Sequence, residues 1–376
     1  MLRKLVIAVL LGVAFAAAAE PVDSVQRVGF WERVKNYFKL DADTATQEQK
    51  RFDISIVGGP SYASDSKLGL GLAGIAQYRL NGCDNIQPSN ATITGDITTA
   101  GFWSLGVEGT TFFPDDRMRL NYVLDVEYAP RDFWGMGYVN GNIDEHKVKL
   151  HEHDYKIKGE WLFRLADSFY AGPMLQWDYA NSGKVDSTDL FVGQDHVVRN
   201  YGLGFTLQYD SRDLVTNAYS GVYLYLNQVF RPKFFWNHYA FSTTDFRACY
   251  YHTAWKGAVI AGEARALFNF GNPSWAMMAL LGDSDNMRGY YHGRYRDKHM
   301  VTTQVELRQY IYRRVGAVLW GGAGSVFHDG DSFRHWLPNY GVGLRWEFRR
   351  RVNIRLDYGF GRKGQSGFIF NINEAF

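Results

Sequence analysis

The chain has 376 residues and a formal net charge of +2, a near-neutral balance that excludes a strongly basic nucleic-acid-binding protein. Aromatic residues make up 16% of the chain, beside 39 glycines and only 9 prolines, which is typical of a strand-rich protein with aromatic belts. The two cysteines, Cys83 and Cys249, are too few and too distant in sequence to indicate a disulfide framework, and we expect them to be unpaired.

The first 19 residues have the three parts of a secretory signal peptide. Arg3 and Lys4 form the basic start, residues 5–16 are apolar, and residues 17–19 are alanines before Glu20. The apolar run is too short to span a bilayer, and no other segment reaches about 18 consecutive apolar residues. We therefore predict an exported protein without membrane-spanning helices.

Residues 20–51 are polar apart from one patch at helical spacing, formed by Val28, Trp31, Val34 and Phe38. This pattern predicts a short periplasmic helix that caps or plugs the next domain, and it favours that role over binding of a partner. The segment is too short for a folded domain of its own. We thus divide the chain into a signal peptide (1–19), a short periplasmic segment (20–51) and a β-domain (52–376).

From residue 52 onward, short segments of alternating hydrophobicity are separated by turn residues. We count sixteen candidate strands, at 52–63, 67–80, 89–98, 100–113, 117–129, 149–163, 167–181, 198–211, 220–231, 243–254, 257–270, 302–313, 315–327, 337–348, 351–361 and 366–376. An even number of strands with about twenty residues for each strand and its connection is typical of a bacterial transmembrane β-barrel. The fold class predicted is therefore an all-β, sixteen-stranded antiparallel barrel.

The last segments show why the sheet should face lipid. Tyr340, Val342 and Leu344 alternate with Gly341, Gly343 and then Arg345, and the following segments continue the pattern with Arg355 and Asp357 on the polar side. A basic residue at the bilayer midplane costs about 2–4 kcal/mol, so the charged row must face a polar interior. Glu374 interrupts the apolar row, but near the membrane interface its cost should fall to about 0–1 kcal/mol.

With both ends of the barrel on the periplasmic side, the two long connections at 130–148 and 271–301 are both extracellular. A loop as long as 271–301 is usually functional. It contains Arg288, Arg294 and Arg296, which would be costly in lipid but can fold into a charged interior, where the inward rows offer Glu263, Arg265, Glu306, Arg308, Glu347 and Asp357. The alternative is that these inward charges only line a solvated wall.

Three motifs together resemble the BamA/TamA superfamily of outer-membrane assembly barrels, also called the bacterial surface antigen family. The first is Arg288-Gly289-Tyr290 in the long loop. The second is the turn between strands eight and nine, with Tyr209, Asp210, Arg212, Asp213 and Gly221. The third is the closing strands, which contain LDYGFG at 356–361 and carry the aromatic residues Phe368, Phe370 and Phe376. Residues 132–137 also look like a loop motif of short members.

The resemblance implies a docked loop. In the family, the loop arginine docks inside the barrel against an acidic residue at the position of Glu306, and a second acidic partner is usual on the next strand. Here Gly322 stands where that aspartate would be expected. We therefore predict that Glu347 or Asp357 replaces it, or that docking is weaker.

The resemblance also implies a role in insertion, assembly or translocation of proteins at the bacterial outer membrane. Such barrels act through a weak seam between the first and last strands, here 52–63 and 367–376, and Gly58, Gly59 and Pro60 would weaken pairing there. The periplasmic repeat domains of larger members are not expected before residue 52. The alternative is a passive pore or a structural barrel subunit of a larger outer-membrane complex.

No pattern indicates catalysis or a cofactor. His151-Glu152-His153 would place two imidazoles on one strand face, but without a third ligand this is more typical of a polar loop edge than of a metal site. No glycine-rich phosphate loop or paired serine and histidine is evident. The expected partners are outer-membrane lipid, client outer-membrane proteins or an accessory periplasmic subunit, and no nucleic acid.

Overall fold

The computed structural model describes residues 52–63, 67–83, 85–183, 185, 189–191, 193–331, 334–349 and 351–376. The predicted signal peptide and the predicted helix within 20–51 lie outside these residues. Within them, no helix has the length and hydrophobicity needed to cross a membrane.

Sixteen strands form one antiparallel sheet, in which each strand pairs with its neighbour along the chain. A two-stranded sheet, β12 and β13, lies within the long connection between β11 and β14. The strands are β1 (Phe52–Ala63), β2 (Lys67–Tyr78), β3 (Ser89–Thr98), β4 (Trp103–Phe112), β5 (Met118–Phe133), β6 (Val148–Ala166), β7 (Phe169–Asn181), β8 (Val197–Asp210), β9 (Gly221–Arg231), β10 (Phe241–Trp255), β11 (Ala258–Gly271), β12 (Ala279–Leu280), β13 (Arg296–Asp297), β14 (His299–Tyr312), β15 (Val315–Phe327), β16 (Leu337–Arg349), β17 (Val352–Phe360) and β18 (Ser366–Ile372).

In the part of the chain that the structure describes, helical structure is confined to short turns in the connections. One four-residue α-helix spans Tyr138–Gly141. The 3₁₀ turns are Pro114–Asp116, Asp144–His146, Asp189–Phe191, Lys233–Phe235, Trp275–Met277 and Arg362–Gly364.

The predicted all-β class and the sixteen-stranded antiparallel sheet are confirmed. The hairpin of β5 and β6 extends further than predicted, and its strands pair without interruption from Met118 with Phe163 to Phe133 with Val148. This hairpin is longer than predicted because its far end packs against a loop rather than ending at a solvated turn. The short strands β12 and β13 were not predicted, since two-residue strands leave no periodicity to detect.

The two faces of the sheet differ as the alternation predicts. On β16, Tyr340, Val342 and Leu344 are each more than half exposed, at 55%, 54% and 56%. On the opposite face Arg345 is buried, and on β17 Arg355 and Asp357 have no exposed surface. Apolar side chains outside and buried charges inside are the reverse of a soluble domain, and they indicate a sheet surrounded by lipid.

Because neighbouring strands are antiparallel, their connections alternate between two rims. The terminal rim carries Phe52, the C-terminal residues and the turn at 211–220. The loop rim carries the three longest connections, at 134–147, 182–196 and 272–298.

The two edge strands of the sheet come together without continuing the ladder. The strand order begins at β1 and ends at β18, and among the described residues no register pairs these two strands. Gly59 of β1 faces the ring of Phe370 of β18, so closely that a Cβ at Gly59 would lie 3.3 Å from Phe370 Cζ. The edges also differ in length, because β1 has 12 residues and β18 has 7.

Candidate functional site

The connection 272–298, which we call the arginine loop, places Arg288 in the interior of the sheet. The Arg288 side chain has no exposed surface. Its Nη1 donates to Asp357 Oδ2 at 2.7 Å, and its Nη2 donates to Glu306 Oε1 and to Gln304 Oε1, the latter at 3.2 Å. One guanidinium therefore joins β14 to β17 through two carboxylates, as a planar fork of donors can.

Both carboxylates bound by Arg288 are also held by other arginines. Glu306 Oε2 accepts from Arg308 Nε at 2.9 Å, and Asp357 Oδ1 accepts from Arg345 Nη1 at 2.6 Å. Arg355 lies 3.6 Å from Asp357 and binds Asp285 of the arginine loop at 2.7 Å. With Glu374, which pairs with Arg345, the cluster contains four arginines and four carboxylates. Equal numbers of opposite charges with hydrogen bonds between them are what allow ions to remain buried.

Trp320 of β15 forms one wall of the Arg288 site. The Arg288 Cζ lies 3.8 Å from the centre of a Trp320 ring, a cation–π contact. The indole fits because Gly341 is opposite, where a Cβ would lie 2.3 Å from Trp320 Cζ2. Gly322, where an aspartate was expected, supplies no charge, and the second carboxylate comes from Asp357.

Gly289 lets the loop backbone lie directly on β17. Its φ is +97°, and a Cβ there would lie 2.5 Å from the carbonyl carbon and oxygen of Gly359. A Cβ on Gly359 would in turn lie 2.3 Å from the Arg288 oxygen. Only glycine at both positions allows this approach, which delivers the Arg288 side chain to its partners. Asn339 Nδ2 donates to the same Arg288 oxygen.

Tyr290, the last residue of the Arg288-Gly289-Tyr290 motif, attaches the loop to β16 and to the turn after β17. Its hydroxyl donates to Pro338 O at 2.6 Å and accepts from Arg362 N at 2.8 Å. Burial raises the pKa of Tyr290 to about 12, so the phenol stays protonated and keeps its role as donor. Its ring packs on Gly361, where a Cβ would lie 2.6 Å from Cζ.

Glu347, one of the two predicted replacements for the missing aspartate, does not contact Arg288. Asp357 pairs in register with Gly343, and Glu347 pairs with Asn353, four residues nearer the terminal rim. At about 3.3 Å per residue this places Glu347 roughly 13 Å from the level of the docked arginine. Its carboxylate instead accepts from Arg351 N at 2.8 Å.

The arginine loop also packs against the end of β5 and the connection that follows it, residues 134–147. Asp132 N donates to the Tyr291 hydroxyl at 2.8 Å, and the Trp134 and Tyr291 rings meet edge-on at 5.1 Å. Arg294 Nε donates to Gly141 O at 2.8 Å. Arg296 is buried with its guanidinium 4.7 Å from the Phe133 ring centre. The loop rim is thus closed by connections that hold one another, rather than by separate solvated loops.

At the terminal rim, the turn at 211–220 reaches to the turn between β16 and β17. Arg212 is anchored to Asp210 through Nε at 2.9 Å and Nη2 at 3.0 Å. Asp213 accepts from Tyr219 N at 2.9 Å and from Arg351 Nη2 at 2.6 Å. Gly221 has a φ of +117° and a Cβ there would lie 2.4 Å from Ser211 O, so the turn requires glycine. Burial alone would raise the pKa of Asp213, but the N–H groups of Tyr219 and Ser220 and the Arg351 guanidinium hold it below its usual value.

The alternation of the last segment predicts that Phe376 lies on the lipid-facing row with Phe368 and Phe370. The last residues leave this row instead. β18 contains Phe368 and Phe370 and ends at Ile372, and Asn373 then adopts a φ of +68°. This left-handed residue, a conformation that asparagine tolerates, turns the chain inward.

The inward turn places the last residues among interior arginines. Glu374 Oε2 accepts from Arg345 Nε at 2.8 Å, and the Phe376 oxygen accepts from Arg308 Nη2 at 3.0 Å. The Phe376 ring lies 6.2 Å from that of Tyr251. Glu374 is thereby paired rather than left at the membrane interface, the position predicted for it from the sequence.

The family model described as the Omp85 superfamily domain matches residues 108–376. The chain belongs to the Omp85 superfamily. Membership, together with the apolar outer face, places this Omp85 protein in the bacterial outer membrane.

Solved structures show the same fold at low sequence identity. BamA from Haemophilus ducreyi lacking POTRA domains 1-3 has a TM-score of 0.54 and 12% identity, over 86% of this chain and 69% of that one. CdiB from Acinetobacter baumannii has a TM-score of 0.55 and 12% identity, over 86% of this chain and 59% of that one. CdiB from Escherichia coli has a TM-score of 0.58 and 11% identity, over 88% and 63%. A search of curated protein sequences finds no match.

The remaining candidate groups of this Omp85 protein have other roles in the structure. Cys83 and Cys249 are buried thiols, and the Cys83 Sγ donates to Phe112 O at 3.5 Å. His151 Nδ1 lies 3.0 Å from the Tyr128 hydroxyl, and Glu152 pairs with Arg131 at 3.4 Å. Within the described ranges, no three histidine, cysteine or acidic side chains are grouped as metal ligands.

Three residues of the docking site were not identified from the sequence, namely Trp320, Gln304 and Asn339. Arg345 was placed on the inward row, but without a role in docking. A signal existed for Trp320, since it is a large aromatic on the inward row of a strand that continues with Gly321 and Gly322. Gln304 and Asn339 carry no such signal, because polar side chains are ordinary on an inward row.

Proposed function

We propose that this Omp85 protein promotes the insertion or translocation of other proteins at the outer membrane, by separation of β1 from β18. The observation that carries the proposal is the break in the ladder: fifteen neighbouring strand pairs are in register, whereas β1 and β18 meet through contacts such as that of Gly59 with Phe370. Parting two paired strands in lipid exposes backbone groups that cannot find water, at several kcal/mol for each group. An edge without a continuous ladder avoids most of that cost.

The interior offers a harder route than the edge. A chain passing through it would displace the arginine loop, which is held by the buried pairs of Arg288 and by Tyr290. It would also meet the terminal-rim turn, which Asp213 and Arg351 hold in place. Opening at the edge leaves both sets of contacts intact. The docked loop then acts as a brace that keeps β14 and β17 together while the edge strands move.

The proposal orients the protein with the terminal rim toward the periplasm and the loop rim outside. Client segments arriving from the periplasm would meet β1, whose outward side chains Phe52, Ile54 and Ile56 are exposed. The unequal lengths of β1 and β18 leave part of β1 beyond the end of its partner, where an incoming strand can add by backbone pairing.

A cross-link across the edge tests the proposal. Cysteines at Gly59 and Phe370, in a chain with Cys83 and Cys249 replaced by serine, would be joined by a short bifunctional maleimide. The matched control joins Leu72 and Gly95, which are paired in register between β2 and β3. We expect the first cross-link, and not the second, to abolish insertion of a client barrel into vesicles that contain the protein. Equal insertion by both cross-linked proteins would contradict an opening edge.

Depletion in cells addresses the broader role. Quantitative proteomics of the outer membrane should show selective loss of other barrel proteins or of surface-exposed proteins. An unchanged proteome with altered uptake of small solutes would instead identify a passive pore.

A further inference from the structure

The connection between β9 and β10, residues 232–240, displays two aromatic side chains to the outside. Phe234 is 75% exposed and Trp236 is 85% exposed, more than any other large apolar side chain that the structure describes. Both lie at the loop rim. Such exposure in a membrane protein calls for a partner that covers it.

The connection that carries these aromatics is held in place by the side chain of Asn237, which binds the backbone of neighbouring residues. The β8–β9 ladder ends at Leu203, and the buried side chain of Asn237 continues it. Asn237 Nδ2 donates to Tyr201 O and to Pro232 O, both at 2.9 Å, and its Oδ1 accepts from Tyr201 N at 2.7 Å. The connection is therefore fastened to β8, and its exposed rings have a defined direction.

The exposed rings extend the lipid-facing surface of the barrel. Trp236 meets the Tyr201 ring edge-on at 6.4 Å. Tyr201 lies on an outward row of β8 with Leu203 and Phe205, and all three are exposed. Because the patch is continuous with the surface that contacts acyl chains, lipid rather than another soluble domain is the partner it fits.

Two basic residues accompany the aromatics. Arg199 lies on the same outward row, two residues beyond Tyr201, with its guanidinium 5.8 Å from the centre of the Tyr179 ring. Lys233 begins the short 3₁₀ turn that carries Phe234. Neither has a carboxylate partner among the described side chains, whereas nearby His238 is paired with Asp195. Unpaired cations at the edge of an apolar surface attract anionic headgroups.

We propose that Arg199, Lys233, Phe234 and Trp236 form a binding site for a phosphorylated lipid of the outer leaflet. The phosphate lies against Arg199 and Lys233, where a guanidinium and an ammonium supply charge-assisted donors. The acyl chains lie along Phe234, Trp236 and the outward row of β8. The outer-leaflet assignment rests on the orientation given under the proposed function, but the four residues of the site belong neither to the Arg288 docking site nor to the β1–β18 edge. Lipid binding can therefore be lost without loss of insertion activity.

The test measures lipid bound to the full-length protein in phosphatidylcholine nanodiscs that contain bisphosphorylated lipid A, by native mass spectrometry after release. We expect Arg199→Gln with Lys233→Gln to reduce bound lipid A by about fivefold for each charge removed. Phe234→Ser with Trp236→Ser should reduce it as well. The matched control is Arg313→Gln, because Arg313 also lies over a tyrosine, 5.1 Å from the Tyr312 ring centre, but at the terminal rim.

Equal binding by the Arg199→Gln/Lys233→Gln variant and the parent would overturn the proposal. So would an equal loss in the Arg313→Gln control, since binding would then reflect total charge. A second measurement with dephosphorylated lipid A isolates the phosphate contact. The parent should bind it about as weakly as the double charge variant binds lipid A, and equal binding of both lipids would refute the phosphate site.

Discussion

Replacing Arg288 with alanine tests whether the docked loop stabilises the barrel. The change removes the partner of Glu306 and Asp357 and leaves both carboxylates buried. Breaking a buried pair costs about 3–5 kcal/mol, and the surviving contacts of Arg308 and Arg345 favour the lower end of that range. Loss of the stacking on Trp320 adds about 1 kcal/mol. We therefore expect Arg288→Ala to reduce the free energy of unfolding by about 3–4 kcal/mol.

The assay is equilibrium urea unfolding of the purified protein in lipid vesicles, followed by tryptophan fluorescence. A reduced midpoint at unchanged slope reports lost stability rather than altered compactness. Arg288→Lys keeps the charge but cannot bind two carboxylates with a planar fork, and should lose about half as much. The control is Arg313→Ala, at an exposed terminal-rim turn, for which a change within about 0.5 kcal/mol is expected.

A double-mutant cycle with Asp357→Asn separates the pair from the surrounding cluster. If the two residues interact directly, their effects should differ from additivity by about 1 kcal/mol or more. An Arg288→Ala protein as stable as the Arg313→Ala control would refute the reasoning, because it would mean that the buried pairs contribute nothing net.

Three further predictions use the same unfolding assay. Gly289→Ala should cost about 1 kcal/mol more than Gly330→Ala, since both have positive φ but only Gly289 abuts another backbone, and equal losses would remove the close-approach argument. Asp213→Asn should destabilise the protein at pH 7, and its difference from the parent should shrink as the pH falls below the ordinary aspartate pKa of about 3.9. A folded-state pKa below the ordinary one gives stability that is complete above the ordinary value and is lost as the pH falls through the folded-state pKa. A difference that does not change with pH would exclude the carboxylate as the cause. Asn373→Ala should cost about 1–2 kcal/mol and Asn373→Gly much less, because the residue is left-handed, and the opposite order would refute the inward turn.

Strand positions were predictable because a barrel imposes one simple rule on every strand. Each must alternate between lipid and a polar interior, so the sixteen segments could be placed from period alone. The same rule predicted that Arg345, Arg355 and Asp357 face inward. Alternation gives no information on the position of each side chain along the barrel axis, because that position depends on the register between strands.

Register explains the choice between Glu347 and Asp357. Both face inward, and only the pairing of Gly343 with Asp357 shows which lies at the level of Arg288. The inward turn at Asn373 was missed for a different reason. Alternation continues formally through Phe376, and the attraction of Glu374 to Arg345 and Arg308 comes from strands far away in sequence.

The position of the arginine loop in the chain has a consequence for folding. Arg288 is translated before every group that holds it, because Gln304, Glu306, Asn339 and Asp357 all follow it in sequence. The Arg288 guanidinium therefore has no partner until β14 and β17 are in register, although other parts of the loop can already contact residues that precede it, such as Asp132 and Gly141. Contacts between residues so far apart in sequence form late, because the intervening chain must first lose conformational entropy as its strands pair. Docking of Arg288 thus marks a finished C-terminal half, and a protease site placed beside Arg288 should be cut more readily in intermediates that precede docking than in the folded protein.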